Sequence, residues 1–356
     1  MTLPIRELKS AAAQAPVQAE IQAQVESAVI KPTRNGGEFL ELKLADGGDN
    51  LTLRVWSDHP AWAELRTTAA GRNFVAVTGE WTSGQYGLDA KNWTCRVLTA
   101  EEKSTLLCGP PDLREKQAAD FAFITEAVAG IRDPRLQCLA LLFLTEYGER
   151  FRRTGAAREY HHARRGGLVE HVAQMMRTAL AVCSVYPQIN ADLVVTGVLF
   201  HDCGKLWENC YAPEGFSMPY SEHGELLGHI TMGIELVNRL WRRITDLPEA
   251  GAWLTMEPGS DDVRLHLLHL IGSHHGEYAF GSPVLPRTPE AILLHHVDNI
   301  DAKLEMMFTS YQTSAMLGKN IFERKRPLPS NLVRPLSTYA APVASDGEDA
   351  SVETVD

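Results

Sequence analysis

The hydrophobic spacing of this chain changes period once, near residue 112, and that change limits what it can fold into. From about Val17 to Leu98 apolar and polar residues alternate in short runs. GGEFLELKLADG and NLTLRVWS meet at a Gly-rich turn, and NFVAVTGEWTSGQYGLDAKNWTCRVL adds further runs punctuated by Gly79, Gly84 and Gly87. A period of two with glycine at the turns predicts strands and hairpins. Beyond residue 112 the spacing becomes three and four. LREKQAADFAFITEAVAGI, PRLQCLALLFLTEYGERF, GLVEHVAQMMRTALAVCSVY, ADLVVTGVLFHDCGKLW, ELLGHITMGIELVNRLWRRI, DDVRLHLLHLIGSHH and TPEAILLHHVDNIDAKLEMMF all follow it, which predicts helices.

The expected fold class is therefore multidomain α and β, a small N-terminal β-barrel followed by an all-α domain. Five or so strands in about 80 residues is the size of an OB-fold barrel. The expected layout is a flexible N-terminus over 1–16, an OB-fold over 17–100, a linker over 101–115, an all-α domain over 116–326 and a flexible acidic tail over 327–356. Trp56, Trp81 and Tyr86 lie within the strands, beside Phe74 and Trp93. OB-folds stack the bases of single strands on such rings. The same rings can equally be barrel core, so the barrel alone is a weak indication of nucleic acid.

Composition removes several classes. Of 356 residues, 44% are hydrophobic and 22% charged, which excludes a largely disordered chain, a coiled coil and a disulfide miniprotein. No apolar stretch is long enough to span a membrane, and the first residues lack the apolar region of a secretory signal. The six cysteines are scattered without a CxxC pair, so reduced thiols and a cytoplasmic location are expected. A net charge of −11 argues against bulk duplex binding. Five acids and no base lie beyond Pro342. One basic cluster, Arg150, Arg152, Arg153, Arg158, Arg164 and Arg165, is opposed only by Glu159 and could guide phosphates despite the acidic total.

Histidine is distributed unevenly. Only His59 precedes residue 160, and the other twelve lie between His161 and His296. The sharpest motif is Leu199-Phe200-His201-Asp202-Cys203-Gly204-Lys205, which closes an apolar helix. A neutral imidazole and a carboxylate are both good ligands for a divalent metal, and a carboxylate can bridge two ions. Lys205, one turn from His201, can meet a phosphate as a point charge. Further ligands must come from other helices: His171 in GGLVEH, His229 in LLGHI, His274 and His275 in SHHGE, and Asp298 in HHVDNIDAK. Asp298 is preferred to Asp301, one turn away. His274 is preferred as the ligand, with His275 contacting either the substrate or a ligand from behind. His161 and His162 precede the Gly-Gly turn and could reach the mouth of the site. His223, His266, His269, His295 and His296 are read as ordinary core or surface residues. Two divalent ions held by such a set would activate a water and clamp both sides of a phosphodiester.

The ordered set His171, His201-Asp202, His229, His274 and Asp298 resembles the HD-domain superfamily of metal-dependent phosphohydrolases. HHARRGGLVEH, LFHDCGKLWE, LLGHI and SHHGEYAFGSPVLPRTPEAILLHHVDNIDAK resemble more closely the YhaM-type 3′→5′ exoribonucleases, which join an OB-fold to an HD domain. The resemblance covers about residues 20–310 and is specific in the helical part. It departs at SMPYSEHGE, with an extra His223, and at a longer TDLPEAGAWLTMEPGSDD. The resemblance implies trimming of single-stranded RNA, and sometimes DNA, from the 3′ end. It implies divalent ions, two in number, with Mn²⁺ favoured over Mg²⁺, Co²⁺, Fe²⁺ or Ni²⁺. It gives the metal role to His171, His201, Asp202, His229, His274 and Asp298. Catalytic roles are expected for Asp202, Lys205 and His275. Substrate contacts are expected for His162, Arg164, Arg165, Lys205, Trp56, Trp81 and Tyr86. The other readings are a phosphodiesterase or nucleotidase acting on small or cyclic nucleotides, and a non-catalytic nucleic-acid-binding protein. The long helices leave apolar faces that would allow a homo-oligomer.

Overall fold

A computed structural model describes residues 1–33, 36–60, 62–63, 65, 73–84, 87–158 and 160–338. The chain divides into two compact units, Met1–Lys303 and Leu304–Asp356.

The first unit opens with helix α1 (Ile5–Ala12) and strand β1 (Val17–Pro32). Strands β2 (Glu38–Ala45), β3 (Asn50–Trp56), β4 (Phe74–Gly84) and β5 (Gly87–Val97) follow. They form one antiparallel sheet of order β3-β2-β1-β4-β5. The outer strands β3 and β5 also lie against each other, so the sheet curls back on itself. Alternation explains its core. Ile21, Ala23, Leu42, Leu53, Val77 and Trp81 point to one face and are buried. Residues 5–12 were expected to be flexible. Instead Ile5 and Leu8 of α1 are fully buried in that core, and the Ile5 N–H donates to Asp46 at 2.7 Å.

The expected linker is also helical. Helix α2 (Ala100–Cys108) starts with a capping box between Thr99 and Glu102. The helices that follow are α3 (Pro111–Ala129), α4 (Pro134–Phe151), α5 (Gly167–Val185), α6 (Ala191–Phe200), the short α7 (Lys205–Glu208), α8 (Glu222–Thr245), α9 (Ser260–Ser273) and α10 (Pro289–Thr313). They bury a contiguous core that includes Phe143, Met175, Val198, Leu236, Leu270 and Leu294. No helix among the described residues is long and apolar enough to cross a membrane.

Between α7 and α8, residues 209–221 bridge the helices to the sheet. Phe216 packs with Phe74, Ala76 and Leu98, and its N–H donates to Gln24 Oε1 at 2.6 Å. The other end of this segment lies one residue from α7, beside the histidine cluster.

In the second unit, β6 (Met316–Gly318), β7 (Ile321–Phe322) and β8 (Leu332–Val333) form a small sheet. Phe322, Leu328 and Leu332 pack against Met306, Met307 and Tyr311. Residues 327–338 therefore include a paired strand where a flexible tail was expected, and the acids beyond Pro342 lie outside the described residues.

Candidate metal centre

Five helix ends and helix faces converge on one buried cluster. Helix α6 is capped by Asn190, whose side chain accepts from the Leu193 N–H, and every residue from Leu193 to Phe200 is buried. A tight turn then sets His201 and Asp202 side by side at the helix end and starts α7 at Lys205. Gly204 has a steric reason. A Cβ there would lie 1.9 Å from the His229 carbonyl oxygen, so only glycine lets this turn press against the backbone that carries His229. Gly228 adopts φ +68 and breaks α8, so the chain re-enters the helix at His229. His274 ends α9, and α10 brings Asp298 and Asp301 from the far side.

The rings are oriented alike. Nδ1 of His201 donates to Val198 O at 2.8 Å, and Nδ1 of His274 donates to Ile271 O at 2.8 Å. His275 Nδ1 donates to Phe280 O at 2.6 Å. His171 Nδ1 meets Asp301 Oδ2 at 2.6 Å, and His229 Nδ1 meets Glu208 Oε2 at 3.0 Å. With Nδ1 engaged outward, each ring has Nε2 left for the interior. This is how protein surroundings prepare imidazoles as metal ligands.

Asp202 divides the cluster. Its Oδ2 lies 3.3 Å from His201 Nε2 and 3.9 Å from His171 Nε2. Its Oδ1 lies 3.4 Å from His229 Nε2 and 3.6 Å from His274 Nε2. Asp298 Oδ1 closes the first half, 3.4 Å from His171 Nε2. His275 joins the second, with one ring nitrogen within 4.8 Å of those of His229 and His274. The Lys205 ammonium sits 2.6 Å from Asp202 Oδ2. Asp202 Oδ1, His229 Nε2 and His274 Nε2 are all buried and lack a hydrogen-bond partner among the described residues. Such atoms are costly unless something binds them. Three of them converging, two imidazole lone pairs and a carboxylate oxygen, fit a divalent cation.

Electrostatics agrees. Burial would raise the Asp202 carboxyl, but Lys205 and His201 hold it well below the usual carboxylate range. Burial would likewise lower His171, yet Asp298 and Asp301 outweigh it and raise it to about 9. Carboxylates that favour a proton there favour any cation. Burial, reinforced by His201, keeps His274 neutral, well below its ordinary value.

Of the expected site residues, His171, His201, Asp202, Lys205, His229, His274, His275 and Asp298 come together. Others do not. His162 is 1% exposed and meets Asp301 Oδ2 at 2.9 Å through Nε2, so it is a buried support rather than a substrate contact. Arg164 pairs with buried Glu170, Nε to Oε1 at 2.9 Å and Nη2 to Oε2 at 2.6 Å. Arg165 donates to the carbonyls of Ala212, Pro213 and Gly215. Arg150 and Arg158 likewise donate to carbonyls of Leu206, Glu208, Met218 and Pro219. Arg150, Arg158 and Arg165 thus brace α7 and the segment after it, and Arg164 is held by Glu170. Trp81 is fully buried and its Nε1 donates to Ala19 O at 3.1 Å, so it is core and not a stacking ring. Trp56 is exposed, 5.3 Å from the Phe39 ring. Tyr86 lies outside the described residues. His223 is exposed, and His295 donates from Nδ1 to the His274 carbonyl.

Sequence reasoning did not foresee Glu208 behind His229 or Asp301 behind His171. An acid three residues after Lys205 and another three after Asp298 were the available signals.

Residues 168–303 match the HD domain family. The chain is 30% identical over 277 residues to the protein named 3′-5′ exoribonuclease YhaM of Oceanobacillus iheyensis, covering 77% of this chain and 81% of that one. It is 30% identical over 275 residues to the 3′-5′ exoribonuclease YhaM of Bacillus subtilis, covering 77% and 81%. The cluster of His and Asp side chains falls inside the matched HD region, and the chain belongs to the YhaM family of HD-domain hydrolases.

Proposed function

We propose that this protein is a 3′→5′ exonuclease that hydrolyses single-stranded RNA, and also single-stranded DNA, at a centre of two divalent ions, Mn²⁺ favoured. The observation that carries the reading is the division of donors by Asp202. Its Oδ2 faces His171 and His201, and its Oδ1 faces His229 and His274. When bound, such ions would lower the pKa of a water and offset charge on a phosphodiester.

The chain's own residues do the rest. His171, His201, Asp202 and Asp298 would hold one ion, and Asp202, His229, His274 and His275 the other. Asp301 and Glu208 fix the ring orientations from behind. Lys205, held beside Asp202, presents a positive charge to a phosphate oxygen and stabilises the charge that builds during attack. The names of the two relatives support the substrate class and the polarity. The six cysteines are free thiols, in keeping with action in the cytoplasm.

The sheet supports strand binding. Its order β3-β2-β1-β4-β5, with β3 against β5, supports the OB-fold barrel expected from the sequence. On the outer face of β2 and β3, Phe39 and Trp56 are a cross-strand pair, with Glu41 and Arg54 the next pair along. A ring pair of this kind can stack bases.

Cleavage of 5′-labelled single-stranded RNA and DNA, with Mn²⁺, Mg²⁺ or chelator and with Asp202→Ala alongside, tests the proposal. A metal-dependent ladder shortening from the 3′ end and absent in the variant is expected. Loss of cyclic dinucleotides without cleavage of either strand would replace it with a small-nucleotide phosphodiesterase.

A further inference from the structure

The two consecutive histidines before the Gly-Gly turn have different surroundings: His162 is buried and His161 half-buried. His162 has φ +45, a left-handed conformation that side chains rarely adopt. Its carbonyl accepts from the N–H groups of Ala156 and Arg164 and locks the bend. Gly167 then packs so closely that a Cβ would lie 1.9 Å from that carbonyl oxygen. The His161 and His162 ring planes are consequently 88° apart. His162 turns into the core and meets Asp301 at 2.9 Å. The His161 ring lies 5.5 Å and the His162 ring 5.8 Å from that of His171, so the two flank it, and His161 is the more exposed of the pair.

His161 is half-buried, and its ring lies against that of His171, one of the donors on the Asp202 Oδ2 side. It therefore looks onto the first half of the centre. Among the described residues its ring makes no hydrogen bond, only ring contacts with His162 and His171. His171, His201, His229, His274 and His275 each have Nδ1 committed to an oxygen. His161 is not held from behind in that way. Strained backbone kept at a site where it aims one side chain is a sign of function.

We infer that His161 is a substrate-contacting residue, whose ring N–H donates to a non-bridging oxygen of the scissile phosphodiester alongside the Lys205 ammonium. This rests on the phosphodiesterase reading of the centre and adds a residue to it. Lys205 supplies charge, and His161 supplies a directed hydrogen bond from the His171 side. The pair would fix which non-bridging oxygen faces the metals, and so the chirality the site accepts.

The test uses the full-length protein loaded with Mn²⁺ and two substrates, 5′-labelled single-stranded RNA and bis(p-nitrophenyl) phosphate. His161→Ala and His161→Asn are compared with wild type. For His161→Ala a loss of about 10²-fold in kcat/KM is expected on both substrates, with Mn²⁺ affinity by titration calorimetry and melting temperature unchanged. His161→Asn keeps an N–H donor and should recover part of the loss. RNA ending in a single Rp or Sp phosphorothioate linkage provides a further readout: the wild type should prefer one isomer, and His161→Ala should lose that preference. Unchanged kcat/KM in His161→Ala overturns the inference. So does a fall in Mn²⁺ affinity that tracks the fall in rate, because His161 would then be a ligand. If wild type cleaves bis(p-nitrophenyl) phosphate but not RNA, the strand reading fails while the small substrate still decides the role of His161.

Discussion

Glu170 is the residue whose substitution best separates bracing from phosphate binding in the basic cluster. It sits in the first turn of α5, next to His171, and is 0% exposed. Four donors reach it: Arg164 Nε at 2.9 Å and Nη2 at 2.6 Å, Gln117 Nε2 at 2.9 Å, and Lys116 Nζ at 3.1 Å. Burial alone would raise its carboxyl, but Arg164, Gln117 and Lys116 hold it at about 2 against an ordinary 4.5. At about 1.36 kcal/mol per tenfold change in proton affinity, that difference corresponds to about 3 kcal/mol of stability at neutral pH. Removing one partner of a buried pair costs a similar amount. Glu170→Gln should therefore lose about 3 kcal/mol in urea unfolding followed by circular dichroism at pH 7. The sign of the pH dependence follows. The folded value is depressed, so the contribution is complete above 4.5 and disappears as pH falls toward 2. Wild type and variant should thus converge on acidification. A gap under about 1 kcal/mol at pH 7, or one that stays constant down to pH 3, would refute the buried-pair account. Tighter RNA binding by the variant would show that Arg164, once released from Glu170, can meet phosphate.

Four further outcomes follow from contacts already described. Asp301→Asn weakens the acceptor behind His171 and should lower Mn²⁺ affinity about 10- to 100-fold in calorimetric titration, with the fold retained. Gly204→Ala places a methyl against the His229 carbonyl, so activity and metal binding should fall together, and a fully active variant would contradict the close approach. Trp56→Ala should reduce single-strand affinity by about 1–3 kcal/mol in a fluorescence binding assay. Trp81→Ala should instead cost about 3–5 kcal/mol of stability, and the reverse pattern would mean that the two rings had been assigned to the wrong faces.

The change of period was legible because each strand and helix has its own spacing, and it separated sheet from helices at nearly the right place. The residues that cluster were legible for a different reason: His and Asp must sit at helix ends or faces to meet, and HDCGK, LLGHI and SHHGE mark such ends. The tryptophans could have been sorted further. Trp81 shares parity with Val75 and Val77, and Trp56 shares parity with Thr52 and Arg54, so alternation already pointed the first inward and the second outward. The fate of the arginines was not legible, because their partners are backbone carbonyls 47 to 61 residues away in the chain. Nor could spacing decide between His161 and His162. That choice turns on the sign of one backbone angle, held by hydrogen bonds that tertiary structure supplies. Asp298 and Asp301 share a helix face, and only the structure separates the acid at Nε2 of His171 from the acid at Nδ1.

The central claim is that Asp202 divides two metal positions. Diffraction from crystals soaked in Mn²⁺, recorded at the manganese absorption edge, tests it most directly. Two anomalous peaks are expected, one among Asp202 Oδ2, His171, His201 and Asp298, the other among Asp202 Oδ1, His229, His274 and His275. A single peak, or a peak between His162 and Asp301, would contradict the account.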